Sequence, residues 1–139
     1  MTNKEEGVEL INQATRIFKR DVTSALRDAD YNLVVRRSQE VVELALKGAL
    51  KILGIDYPKV HHVGDIFRKT ISRKGVKITD EVCQKIERIS LWLSETREPS
   101  FYFERRFRKE DGLKARKDAG FVMREIKKDF RNLSIEKNT

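Results

Sequence analysis

From residue 31 to residue 53 the chain reads YNLVVRRSQEVVELALKGALKIL, and this segment constrains the fold more than any other. Val34, Ser38, Val41, Ala45 and Ala49 recur at steps of three and four and trace one helical stripe. Leu33, Val35, Val42, Leu44, Leu46, Leu50 and Ile52 widen it until little of the circumference is polar. A helix apolar on so much of its surface must be covered from more than one side, so it belongs at the centre of a helical assembly. The small residues Ser38, Ala45, Gly48 and Ala49 allow neighbouring helices to come close. Asp30 is a good N-cap for this helix, and Gly54 suits the position just past its end.

The flanking segments supply the cover. Residues 4–27 place Val8, Ile11, Thr15, Phe18, Val22 and Ala25 at helical spacing. Residues 56–59 form a connector, because Pro58 pushes the residue before it out of helical geometry. A short helix is expected from His61 or His62 to Arg73, with Val63, Ile66, Phe67 and Thr70 or Ile71 inward, followed by a polar loop over 72–78. Thr79 with Asp80 and Glu81 marks a capped helix start. That helix turns Val82, Ile86, Ile89 and Leu93 to one face and fades at Arg97 and Pro99. Residues 100–113 give no clean period. A last helix is predicted over about 114–133 on Ala115, Ala119, Val122, Ile126 and Phe130, and 134–139 reads as a frayed tail. The pattern predicts an all-α protein, an antiparallel bundle of four to five helices forming one domain over 1–139. Two prolines and seven glycines are too few turn signals for a β-sandwich or barrel of this size.

Charged residues make up 37% of the chain and leave a net charge of +8, which favours a polyanionic partner, nucleic acid above all. The excess is uneven: from residue 99 onward twelve Lys and Arg stand against seven Asp and Glu. The N-terminus has no secretory leader pattern and no apolar run approaches a membrane span, so a cytoplasmic protein without membrane contact is expected. Cys83, the single cysteine, rules out an internal disulfide or a thiolate metal cluster and reads as a small buried helix residue.

Few residues suggest catalysis. His61 and His62 are adjacent, and helical neighbours point about 100° apart, so they do not chelate as an i,i+4 pair would. No phosphate-binding glycine loop, zinc motif or nucleophile elbow is present, and neither a metal nor a cofactor is expected. The densest suggestive stretch is 97–109. It interleaves Phe101, Tyr102, Phe103 and Phe107 with Arg105, Arg106, Arg108 and Lys109. Cations hold phosphates and exposed rings stack on bases. The same aromatics would equally fasten a connector to the core, and both readings stay open. The central helix also carries a polar line, Arg36, Glu40, Glu43, Lys47 and Lys51, whose default reading is a salt-bridged surface.

Gln39, Glu43 and Lys47 on the central helix, then Gly54, Pro58, Lys59 and His61 after it, closely resemble the HEPN domain family. The family typically shows a helix that starts on Tyr and carries Gln-x-x-x-Glu-x-x-x-Lys, followed by a Gly and a Pro-Lys-x-His-Asp-like turn. His62 stands where Asp is usual. The match is strongest over 31–71 and is compatible with the whole chain in helix number and order. The resemblance implies a four- to five-helix bundle that commonly forms a homodimer, with a cleft for nucleotide or RNA near the two-fold axis. It also implies frequent pairing with a small nucleotidyltransferase in toxin–antitoxin operons. Ribonuclease members carry Arg-x4-6-His after the fourth helix, where this chain has Arg97-x4-Tyr102.

A metal-free cut of RNA needs a base for the 2′-hydroxyl, and a tyrosine, with its pKa near 10, is a poor one at neutral pH. The expectation is therefore a binding protein more than an enzyme. Arg97, Tyr102, Arg105, Arg106, Arg108 and Lys109 are its candidate nucleotide or RNA contacts. Two rival readings remain: a metal-independent ribonuclease with Arg97, Tyr102 or His61 in the catalytic role, and a structural subunit whose helix faces bind protein only.

Overall fold

The structure, a computed structural model, describes residues 1–57, 63–97 and 105–136, with side chains to Phe130. Among them all regular structure is helical: α1 (Asn3–Arg16), a π-helical turn (Ile17–Val22), α2 (Thr23–Arg27), α3 (Tyr31–Ile52), α4 (Gly64–Lys74), α5 (Asp80–Glu95) and α6 (Lys109–Glu136). No helix among the described residues is long and apolar enough to cross a membrane.

α3 lies at the centre, as its apolar circumference predicts. Val34, Val35, Val41, Ala45, Leu46, Ala49 and Leu50 are all fully buried. α1 covers one side and α6 another, with α5 on a third. Both predicted ends hold. The Asp30 carboxylate accepts from the Leu33 N–H at 3.2 Å. At the other end Gly54 sits at φ +76°, where its N–H reaches the Lys51 carbonyl and that of Ile55 reaches Leu50. These two bonds satisfy carbonyls that the helix end would leave orphaned.

α1 crosses α3 at two glycines. A Cβ on Gly7 would lie 2.5 Å from the Gly48 carbonyl oxygen, and one on Gly48 would lie 2.6 Å from that of Gly7. The two backbones therefore touch with no side chain between them. Beyond this crossing the first helix changes phase. Gly7, Ile11 and Ala14 are buried ahead of the π-helical turn, Ile17 and Val22 at its two ends, and Ala25 after it. Val8, Thr15 and Phe18, expected in the stripe, are only half-buried. A π turn inserts one extra residue into the helix, so the inward face steps by five from Ile17 to Val22 and contact with α3 continues.

Elsewhere the boundaries need correction. α4 continues through Lys74 and ends on Gly75 at φ +67°, so the polar loop is shorter than the 72–78 expected. Thr79 caps α5 as predicted, its hydroxyl accepting from the Val82 N–H at 3.2 Å. α6 begins at Lys109, five residues before the predicted start. The cause is local: the Asp111 carboxylate accepts the Arg108 N–H at 2.8 Å, and Glu110 and Asp111 sit in the first turn, where the helix dipole favours acidic groups. Gly112 does not break this helix. It lies against Tyr31 and Val34, where a Cβ would come within 3.1 Å of the Tyr31 ring.

Candidate nucleic-acid interface

The polar line on α3 divides in two. Arg37, the neighbour of Arg36, pairs with Glu40 at 2.9 Å, and Lys51 pairs with Glu6 of α1. This Lys51–Glu6 contact holds the Glu6 carboxyl below its ordinary pKa and raises that of the Lys51 ammonium. These contacts are the expected salt-bridged surface. Glu43 and Lys47 differ. They pair at 3.3 Å with only 14% and 13% of their side chains exposed. Charges that shielded must be matched by close partners.

Arg97 completes the match. It lies just past the C-terminal end of α5, and its Nη1 donates to Gln39 Oε1 at 3.2 Å and approaches Glu43 Oε1 at 3.9 Å. Gln39 Nε2 in turn donates to Glu43 at 3.1 Å. Gln39 is almost wholly buried, so one amide joins the arginine to its counter-carboxylate inside the bundle wall. On the far side Lys47 Nζ stands 5.2 Å from the centre of the Tyr57 ring, within cation–π range. The structure thus gathers Gln39, Glu43, Lys47 and Arg97 into one cluster. Arg97 keeps 40% of its side chain exposed, a cation braced by the bundle wall and still reachable from solvent.

The second part of the expected interface is the basic stretch after the motif. Arg105, Arg106, Arg108 and Lys109 are all exposed. Phe107 is not. It is 4% exposed and packs in the core, so for this ring the connector-anchoring reading is correct and base stacking is not. Arg105 lies over it at 4.7 Å from the ring centre and 3.7 Å from Asp111. Arg106, Arg108 and Lys109 make no ion pair among the described residues. Tyr102, His61, Pro58 and Lys59 lie outside the described residues, as do Phe101 and Phe103.

One residue of this region carries no signal in the sequence. Asn32 is 8% exposed near the start of α3 and holds residues 105 and 107 through both ends of its amide. Its partners are more than seventy positions away, which no local pattern reveals.

A cleft of about 960 Å³ opens elsewhere, between α4 and the first half of α5. Arg68 bridges it to Asp80 at 3.3 Å and Glu87 at 3.4 Å, with Ile71 and Cys83 among its lining. Cys83 is buried as expected, and burial pushes its thiol pKa up. None of the expected site residues lines this cleft, and Arg97 is about 20 Å further along the helix axis from Cys83.

Among protein-family models, the HEPN domain matches residues 4–129 of this chain, so the protein belongs to the HEPN domain family. No curated protein and no solved structure matches it. Membership implies a nucleotide- or RNA-related function and agrees with the helical bundle.

Proposed function

We propose that the protein binds RNA or a nucleotide through Arg97 together with Arg105, Arg106, Arg108 and Lys109, and that it does so without cutting. The observation that carries this reading is the state of Arg97. Gln39 and Glu43 brace its guanidinium while two-fifths of the side chain stays exposed to solvent. A preorganised cation loses little freedom when it meets a phosphate, and arginine's planar fork suits phosphate oxygens. The exposed arginines that follow supply the long-range attraction. Binding is favoured over cleavage because Tyr102 occupies the motif position of the histidine base. In this reading Tyr102 donates a hydrogen bond or stacks. By family analogy the protein acts as a homodimer and as the partner of a small nucleotidyltransferase of toxin–antitoxin type.

The test is fluorescence anisotropy with a labelled single-stranded RNA and with a labelled nucleotide across a salt series, beside an RNA cleavage assay in EDTA. Affinity should fall steeply with salt, weaken when Arg105 and Arg106 are changed to Gln, and come with no cleavage by clean protein. Absent or salt-insensitive binding to both probes would point instead to a subunit that binds only protein. Cleavage in EDTA that disappears in Arg97→Ala would make it a ribonuclease.

A further inference from the structure

Asn32 is the second residue of α3, where an asparagine ordinarily serves its own helix as part of the cap. That task is already taken, since Asp30 accepts the Leu33 N–H. The Asn32 amide turns to a distant stretch instead. Its Nδ2 donates to the Arg105 carbonyl at 2.9 Å, and its Oδ1 accepts the Phe107 N–H at 2.9 Å. A buried amide is costly unless its donor and acceptor are both used, and here both are spent on one three-residue segment. Phe107, locked into the core beside it, prevents that segment from sliding.

Asn32, Gln39 and Glu43 stand at i, i+7 and i+11, so they share one face of α3. Gln39 and Glu43 hold Arg97, and Asn32 holds the backbone of the basic stretch. Seven residues of helix separate the two anchors by about 10 Å along the axis. A single rigid element therefore sets the spacing between Arg97 and the cations of 105–108.

We propose that Asn32 is a positioning residue of the nucleic-acid interface, fixing Arg105, Arg106 and Arg108 in register with Arg97 so that they meet successive phosphates of one RNA strand. This rests on the binding function proposed above and adds the ligand class: an oligonucleotide rather than a lone nucleotide, because the anchors of the two cation groups stand about 10 Å apart along α3, a spacing suited to more than one phosphate of a strand.

The experiment compares the wild type, Asn32→Ala, Asn32→Asp, the triple variant Arg105→Gln/Arg106→Gln/Arg108→Gln and that triple combined with Asn32→Ala. Each is titrated against a labelled RNA of about twelve nucleotides at several salt concentrations, well below its melting temperature. Asn32→Ala should weaken binding about tenfold and lower the slope of log affinity against log salt by about two. In the triple variant the same change should cost less than about twofold, since the cations it positions are gone. Asn32→Asp keeps size and the acceptor for Phe107 but loses the donor. It should show a smaller loss of the same kind and stands in if the alanine variant does not fold. A merely structural role would lower the melting temperature and leave the salt slope unchanged. If the triple variant weakens binding while both Asn32 variants keep wild-type affinity and slope, the positioning role is wrong and the binding function stands. If the triple variant binds as the wild type does, the binding function itself is wrong.

Discussion

Gln39 gives its amide oxygen to Arg97 and its amide nitrogen to Glu43, so a single buried side chain links a cation on α5's end to a carboxylate on α3. Leucine fills nearly the same volume but offers neither bond. Gln39→Leu should therefore keep the bundle folded and release the Arg97 guanidinium from its Gln39 brace. Hydrogen bonds to charged groups are worth about 1.5–3 kcal/mol, and only part of that concerns ligand binding, so RNA affinity should drop by about three- to tenfold. An anisotropy titration beside a thermal melt separates the two effects, and unchanged affinity with a normal melt would leave Gln39 no part in binding.

The α1–α3 crossing makes a second expectation. Alanine is a better helix former than glycine by about 1 kcal/mol, yet Gly48→Ala should destabilise the protein. Its methyl would meet the Gly7 carbonyl oxygen at 2.6 Å and the Ile11 side chain at 2.8 Å, and overpacking of this kind costs about 1–3 kcal/mol. Backbone cannot swing aside as a side chain can. Chemical denaturation should show a lower midpoint with an unchanged slope.

Asp129 gives a pH signature. Burial, with the nearby Glu125 charge, raises its carboxyl pKa above the ordinary value, and Lys128 only partly offsets this. The folded state then holds the proton more tightly than the unfolded chain does. This group's contribution to stability is thus greatest at acid pH and is lost as pH rises from the ordinary carboxylate range through the raised folded value. Asp129→Asn should raise the melting temperature at pH 7 and bring little gain near pH 4. A gain that is equal at both pH values would show that the charge is not the cause.

The chain's departure from the ribonuclease motif can be tested by reversing it. Tyr102→His would place a side chain with an ordinary pKa near 6.5 at the motif position, able to act as a base at neutral pH. RNA cleavage in EDTA should then rise above the wild-type level, and adding Arg97→Ala should abolish it. A Tyr102→His protein that binds RNA but never cuts it would show that more than one residue separates this chain from the active members of its family.

Most of the bundle could be read from sequence because its determinants are local. The apolar girth of α3, the caps at Asp30, Gly54 and Thr79, and the buried stripe from Ala115 to Phe130 each depend on residues within a few turns. What escaped is of two kinds, one local cap and several contacts made at a distance. The early start of α6 rests on a reversed cap, in which Asp111 reaches back to a backbone N–H that follows a buried Phe107. The π-helical turn has no cause in its own residues IFKRDV; it keeps the flanking faces against α3. The site shows the same divide. Gln39, Glu43 and Lys47 stood out as family positions and Arg97 as a motif residue, but only the fold brings the arginine onto that line. Asn32 resembles any polar residue near a helix start until its partners at 105 and 107 are seen.

That π-helical turn has one more consequence. Removing a residue from the middle of a helix ordinarily rotates everything beyond it by about 100° and turns the core face outward. Here the surplus residue is already present. Deleting the exposed Lys19 would let 17–22 close into ordinary α-helix while Ala14 and Ile17 on one side, and Val22 and Ala25 on the other, kept their neighbours. The first helix thus contains a site where the chain can shorten by one residue without losing register, and relatives that differ in length by a single residue have a natural place to do so.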